Sequence, residues 1–111
     1  MKRTITLLLL FFALLSVSAK VKITRIDPTD WYVGMKDPTL QLMVYGEGIR
    51  DAEVSTDYPH ARIDSLVRLD SPNYLLVYMN LEGAQPGEMR LQFKLNGSKL
   101  TERYVLHARA K

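Results

Sequence analysis

Apolar and polar residues alternate along three stretches of this chain, which is the pattern of β-strands with one buried face. The alternation is most regular in residues 89–95, where the apolar positions are Met89, Leu91, Phe93 and Leu95. Residues 40–45 repeat it. In residues 74–81 both alternating sets are largely apolar, which predicts a central strand with both faces at least partly covered. Weaker patterns predict four more strands, in residues 21–26, 49–55, 62–69 and 99–106.

Turn-forming residues separate these predicted strands. Asn96-Gly97 lies between two of them, and because both residues tolerate positive φ we expect a tight type I′ hairpin there. Proline and glycine mark the other reversals, at residues 37–38, 46–48, 71–73 and 85–87. Seven short strands with such punctuation predict an all-β protein with an immunoglobulin-like β-sandwich. The chain has no cysteine, so the disulfide of antibody domains is absent and stability must come from packing.

The first residues have the composition of a secretory signal. Lys2 and Arg3 precede an apolar run over residues 5–15, and small residues occupy positions 17–19. We therefore predict a signal peptide at 1–19, cleaved before Lys20, and a periplasmic or secreted protein. The run is too short to span a membrane, and no cysteine is present to carry a lipid, so we expect no membrane association after cleavage. Residues 20–111 suffice for one domain.

Charge excludes one class of partner. The chain has 15 basic and 12 acidic side chains, but Lys2 and Arg3 belong to the predicted signal, so the mature chain is close to neutral. Its basic residues alternate with acidic ones and form no stripe that could follow a phosphate backbone. Nucleic acid is not an expected partner.

Few side chains suggest chemistry. His60 and His107 are the only histidines, and neither has the spacing of a metal ligand. Asp51 and Glu53 would project from one face of a predicted strand, but a glycosidase pair needs an enclosed cleft that raises one pKa. We expect solvated charges instead. The sequence predicts no catalytic residues, no metal site and no cofactor.

One aromatic pair stands out as a candidate contact. Residues 27–38 form a predicted loop that carries the only tryptophan, Trp31, beside Tyr32. Exposed rings can stack on sugars or fill a pocket of a protein partner. The alternative is that Trp31 covers one end of the core. Because neighbours in an extended chain point in opposite directions, one ring can be buried while the other is exposed.

The same stretch carries a resemblance to a known family. It begins with Ile26-Asp27-Pro28 and Trp31-Tyr32-Val33-Gly34-Met35, and continues through residues 40–46, 52–55, 71–75 and 84–87. This order resembles the N-terminal domain of cyclomaltodextrinase- and neopullulanase-like enzymes of the alpha-amylase family, as found in the periplasm of Bacteroides-like organisms. Two positions depart from the family pattern, which usually has proline at Thr29 and tryptophan at Tyr32.

The resemblance implies an immunoglobulin-like domain that precedes the catalytic barrel of an enzyme that cleaves α-glucans and cyclodextrins. It further implies that the domain either shapes access to the active site of the barrel or joins subunits. The catalytic acids belong to the barrel, and no position here matches them. Its expected partners are the barrel domain or a second subunit, and α-glucan oligosaccharides. The chain would be a piece of such an enzyme or a shortened relative acting alone.

Two functions remain open at this point. An accessory domain predicts an exposed aromatic at Trp31 or Tyr32, or a bare apolar patch. The alternative is a stand-alone exported β-sandwich that binds proteins, which predicts a covered surface and an unprotected strand edge.

Overall fold

The computed structural model describes residues 21–109, and the predicted signal peptide at 1–19 lies outside them. The described chain forms eight strands: β1 (Arg25–Asp27), β2 (Trp31–Val33), β3 (Thr39–Tyr45), β4 (Glu53–Ser55), β5 (Arg62–Arg68), β6 (Tyr74–Asn80), β7 (Gly87–Leu95) and β8 (Ser98–Ala108). Sheet A has the order β1-β3-β6-β5, and sheet B has the order β2-β8-β7-β4. All pairs are antiparallel except β2 with β8.

This arrangement is the immunoglobulin one. The first, second, fifth and fourth strands of that fold form one sheet, and its third, sixth and seventh strands form the other. The predicted all-β immunoglobulin-like sandwich is therefore confirmed. The structure has eight strands instead of the predicted seven because the first strand of the fold is divided in two. Its first part, β1, joins sheet A and its second part, β2, joins sheet B, and the cis Asp27–Pro28 bond lies at the division. The Tyr104 hydroxyl donates to the Pro28 carbonyl at 2.8 Å and holds this corner.

The core lies between the inward faces of the two sheets. Its completely covered members include Leu42 and Val44 from sheet A, and Leu91 and Phe93 from sheet B. β6 runs between β3 and β5, and its residues alternate between buried and half-buried. This confirms the prediction that residues 74–81 form a central strand with both faces at least partly covered.

Residues 49–55 differ from their prediction as one strand. Ile49–Asp51 form a 3₁₀ turn and only Glu53–Ser55 are extended. Gly48 enters the turn with φ of 69°, and the Ala52 amide donates to the Ile49 carbonyl at 3.0 Å, which places Ile49 in the core. Asp51 and Glu53 therefore do not share a strand face. The buried residues Ile49 and Ala52 are three positions apart, which fits a turn and not the period of two of a single strand.

The turn between β7 and β8 has the predicted conformation. Asn96 and Gly97 have φ of 52° and 79°, and Leu95 pairs with Ser98 across them. Positive φ at both central residues defines the expected type I′ turn, so that prediction is confirmed.

Within residues 21–109 no helix is long and apolar enough to cross a membrane.

Candidate ligand-contact site

Trp31 and Tyr32 lie on a strand, so their prediction as loop residues was wrong. β2 runs parallel to the end of β8, with Trp31 opposite Leu106 and Tyr32 opposite His107. After the Pro28 corner the chain reaches sheet B, where the last residues of β8 offer backbone partners on the side away from β7. A strand of three residues has no period that sequence analysis could recognise.

The two rings point to opposite sides of sheet B. Trp31 is half-buried and packs against the core, whereas 44% of Tyr32 is exposed to solvent. The alternation of side chains along an extended segment produces this difference. Tyr32 is thus the ring of the pair that is available to a ligand or partner.

Two side chains surround Tyr32. The Tyr32 ring centroid lies 5.5 Å from that of His107, and the edge of Trp31 approaches it at 6.4 Å between centroids. His107 Nε2 lies 2.8 Å from Asp30 Oδ2, and both side chains are about half exposed. We call Asp30, Tyr32 and His107 the Tyr32 cluster. Sequence analysis missed Asp30 and His107 as a pair, because 77 positions separate them and only the parallel pairing of β2 with β8 brings them together.

Two cavities adjoin the cluster. The smaller has a volume of about 130 Å³ and lies between residues 32–38 and residues 81–83. The larger is a groove of about 610 Å³, lined by Val33, Gly34, Ala84, Gln85, Pro86, Ala108 and Arg109. Because both include Val33 and Gly34, they are neighbours at one end of the sandwich.

Tyr104 connects this region to the core. It is buried under the Pro28 corner, and burial raises the pKa of its hydroxyl, with a further contribution from the negative charge of Asp30. The neutral phenol therefore persists there and can donate its proton to the Pro28 carbonyl.

Other acidic side chains of the described chain are at the surface. Asp27 pairs with Arg25 at 2.7 Å. Asp51 and Glu53 lie at a depression that Lys94 and Lys99 also line. Within residues 21–109, no group of three or more histidine, cysteine or acidic side chains is arranged to hold a metal ion.

The outward faces of the sheets differ in character. On sheet A six apolar or aromatic side chains are adjacent across β3, β6 and β5, and we call them the tyrosine face: Met43, Tyr45, Val67, Tyr74, Leu76 and Tyr78. The rings of Tyr45 and Tyr74 lie 4.9 Å apart and are tilted by 47°. On sheet B the outward positions are mostly charged, hydroxyl or amide side chains: Glu53, Ser55, Glu88, Arg90, Gln92, Lys94, Lys99, Thr101 and Arg103.

The strand edges are short or charged. β1, β2 and β4 have three residues each, and β5 begins and ends with arginine and has an irregular register between Ile63 and Ser65. Within residues 21–109, no strand lies beside Ser98 to Val105 of β8 on the side away from β7. That segment includes three charged residues, Lys99, Glu102 and Arg103. Such features hinder pairing with a foreign strand.

The fold is an immunoglobulin-like sandwich with one exposed aromatic residue, Tyr32, at its end and a half-buried apolar outer face on sheet A. The chain matches the family described as "Cyclomaltodextrinase, N-terminal" over residues 25–110. It therefore belongs to the family of cyclomaltodextrinase N-terminal domains, as its resemblance predicted. This membership indicates an accessory domain of an alpha-amylase-family glycoside hydrolase.

Proposed function

We propose that this chain is the non-catalytic accessory domain of an exported enzyme that hydrolyses α-glucans or cyclodextrins, and that it packs on the catalytic barrel through the tyrosine face. Export rests on the signal-like residues 1–19. The observation that carries the proposal is the tyrosine face, because an apolar patch on the outward side of a sandwich marks an interaction surface. Family membership supports the catalytic barrel as the neighbour.

The dimensions of sheet A favour a domain of the same polypeptide over a second subunit. The three strands that carry the tyrosine face have seven residues each and cover roughly 14 by 23 Å, or about 330 Å². Counted on both partners, this is about 660 Å², at the lower end of contacts between domains of one chain, which bury about 600–1,500 Å² in total. A stable complex of separate proteins buries about 800 Å² on each partner. The barrel, tethered to the accessory domain, is therefore the better partner.

The surface chemistry supports a non-catalytic role. Asp27 and Asp30 are engaged with Arg25 and His107 at the surface. Glu53 lies 3.8 Å from Arg68 in an exposed pair. A retaining or inverting glycosidase needs two carboxyl groups facing each other across a bound sugar, one of them enclosed. These exposed carboxylates, each beside a basic side chain, do not fit this arrangement.

The docking step can be tested with matched variants on opposite faces. The purified domain is mixed with the remainder of the enzyme that its gene encodes, and binding is measured by calorimetry. Leu76→Lys places a charge in the middle of the tyrosine face and should weaken binding at least tenfold. Thr101→Lys adds the same charge to the outward face of sheet B and should have little effect. Equal binding by both variants would contradict docking through the tyrosine face.

The non-catalytic part has its own test. Residues 20–111, incubated with maltoheptaose or β-cyclodextrin, should release no reducing sugar, whereas an enzyme containing the barrel should. Hydrolysis by the purified domain alone would refute the proposal.

The free side of β8 favours a second candidate, a stand-alone protein-interaction domain that adds a partner strand beside Ser98–Val105. The charges of Lys99, Glu102 and Arg103 along that segment oppose it. The two candidates differ in the DNA that follows the Lys111 codon. An open frame that encodes a barrel with three catalytic acids supports the accessory domain, whereas a stop codon supports the stand-alone protein.

A further inference from the structure

Four basic side chains lie together on the outward side of sheet B. They form two directly opposed pairs on β7 and β8, Arg90 with Arg103 and Lys94 with Lys99, and all four are exposed. We call these four residues the basic face. The members of a pair lie about 5 Å apart between their Cβ atoms, and the two pairs lie about 14 Å apart along the strands. Since the two basic residues of each strand are four positions apart, the cluster forms only when β7 pairs with β8.

The positive charge of the basic face is only partly balanced within the domain. Three of its members form no ion pair with a residue between 21 and 109. The fourth, Arg103, is approached by Glu88 at 3.5 Å. Glu53 stands opposite Lys94 in the register, but its carboxylate lies 3.8 Å from Arg68 of the other sheet.

The fold itself does not require these cations. The inward positions of β7 and β8 bury the core, whereas the basic residues occupy outward positions. Like charges directly opposite each other on a sheet oppose folding. Local choices that conflict with stability in this way are typical of functional sites. An anionic partner would relieve the repulsion, so we expect one at this face.

Acidic side chains border the basic face and limit its width. Asp51 and Glu53 line the depression beside the lysine pair, and Asp57 lines the one beside Arg90. The positive strip is therefore about two strands wide, or roughly 10 Å. A broad anionic surface such as a membrane would also place its charges over these carboxylates. A narrow chain that follows β7 and β8 avoids them.

Neutral polar groups fill the middle of the strip. Gln92 and Thr101 lie opposite each other between the two cation pairs, and Ser55 lies beside Gln92 on β4. Amide and hydroxyl groups both donate and accept hydrogen bonds. They match the N–H and C=O groups of a peptide, whereas a phosphate chain presents mainly acceptors. The strip therefore favours a peptide with acidic side chains.

We propose that the basic face binds a carboxylate-rich protein segment in an extended conformation. The segment lies along β7 and β8, with carboxylates over the two cation pairs and its backbone against Gln92 and Thr101. Side chains on one side of an extended chain recur at every second residue, about 7 Å apart. Acidic residues four positions apart therefore match the spacing of the two pairs.

Two peptides of about a dozen residues and identical composition test this spacing. In the first, glutamates recur at every fourth position and project from one side of an extended chain; in the second they recur at every third position and alternate between sides. Amide chemical shifts of residues 89–94 and 99–104 report binding to the purified domain. We expect a Kd of about 1 mM for the first peptide at low salt and binding at least about threefold weaker for the second. Raising the salt from about 20 to about 200 mM should weaken the first complex at least about threefold.

Charge reversals locate the site. Lys99→Glu should raise Kd at least about fivefold. Lys36→Glu makes the same change of net charge at an exposed lysine in the loop after β2 and should alter Kd by less than about twofold. Arg90→Glu is the sharper variant, because it replaces a repulsive cross-strand pair with an attractive one. It should fold at least as stably as the parent and still bind at least about fivefold more weakly, which partial unfolding could not produce.

Absence of saturable shifts at millimolar peptide would overturn the proposal, as would equal affinities of the parent, Lys99→Glu and Arg90→Glu. Equal binding of the two peptides would contradict an extended segment along the strands. Vesicles of phosphatidylglycerol test a membrane instead, and binding to them that Lys99→Glu abolishes, without binding of either peptide, would also overturn it. Docking through the tyrosine face would survive each of these results, because Leu76→Lys tests it on the other sheet.

Discussion

The two outward faces of this sandwich cover the same core but differ in the side chains that they present. Sheet A presents the tyrosine face, in which Tyr45, Tyr74 and Leu76 are half-buried against one another. Sheet B presents charged and hydroxyl side chains along β7 and β8. The central strands of both sheets bury their inward positions almost completely. The folding of the sandwich requires the inner alternation alone, so the apolar outer face of sheet A points to an additional contact.

Because of this difference, the outward faces of the two sheets suit different kinds of contact. The tyrosine face suits a dry contact with another folded surface, because apolar and aromatic residues dominate the cores of interfaces. The Tyr32 cluster lies at sheet B, where Asp30 and His107 are about half exposed. A domain that docks through sheet A leaves the outward face of sheet B exposed to solvent.

The sharpest test of the comparison uses two adjacent leucines of β6. Leu75 faces the core and is fully buried, whereas Leu76 lies on the tyrosine face. Leu75→Ala should lower the free energy of unfolding by about 2–5 kcal/mol, because it leaves a cavity. Leu76→Ala should cost about 1 kcal/mol in the isolated domain, because the site is already half open.

Urea denaturation of both variants measures this difference. Equal losses in the isolated domain would mean that the tyrosine face is packed as tightly as the core, and the contrast between inner and outer faces of sheet A would be wrong. A larger loss for Leu76→Ala within the complete enzyme would show that a neighbour covers the face there.

The second prediction concerns the corner that joins the two sheets. Tyr104 extends from the inward face of β8 to the Pro28 carbonyl, and it is almost completely buried. Tyr104→Phe should lower the free energy of unfolding by about 0.5–1.5 kcal/mol, because the part-buried carbonyl loses its donor. Tyr32→Phe is the matched control on the exposed side of sheet B and should change stability by less than about 0.5 kcal/mol. Similar effects of the two would argue against a role for the corner.

The same hydroxyl should make stability depend on alkaline pH. Burial raises the pKa of Tyr104 above its ordinary value, so the folded protein keeps this proton to a higher pH than the unfolded chain does. Its contribution is therefore complete below the unfolded pKa of about 10 and declines as pH rises above it. Unfolding by urea between pH 9 and 11 should show this decline, and Tyr104→Phe should reduce its slope. An identical slope in the variant would assign the decline to other groups.

Sequence periodicity predicted most of the sandwich because both inward faces follow a strict period of two. It worked for β3, β6 and β7, whose buried residues alternate without interruption. It also predicted the Asn96-Gly97 turn, where local chemistry determines the conformation. It failed for β2, which depends on the end of β8 for its backbone partners, and for the 3₁₀ turn at Ile49–Asp51.

The candidate site was predicted only in part. Alternation required Trp31 and Tyr32 to face opposite ways, but which of them faces the core depends on how β2 joins sheet B. The pairing of Asp30 with His107 depends on contact between distant parts of the chain, and no local pattern encodes it. Both alternating sets of residues 74–81 are largely apolar, which indicated the tyrosine face in the sequence. The pattern was interpreted as a strand covered on both faces by other parts of the same domain.

The smallest expected effect tests whether the polar face of sheet B contributes to stability. Arg90 and Arg103 lie directly opposite each other on β7 and β8, and Glu88 approaches Arg103 at 3.5 Å. Like charges in register oppose folding, so Arg90→Glu should stabilise the domain by about 0.2–1 kcal/mol. Arg90→Gln removes the repulsion without adding an attraction and should give a smaller gain. Added salt should reduce both gains, because the side chains are exposed. A loss of stability in Arg90→Glu would mean that this face, like the tyrosine face, depends on specific side-chain packing.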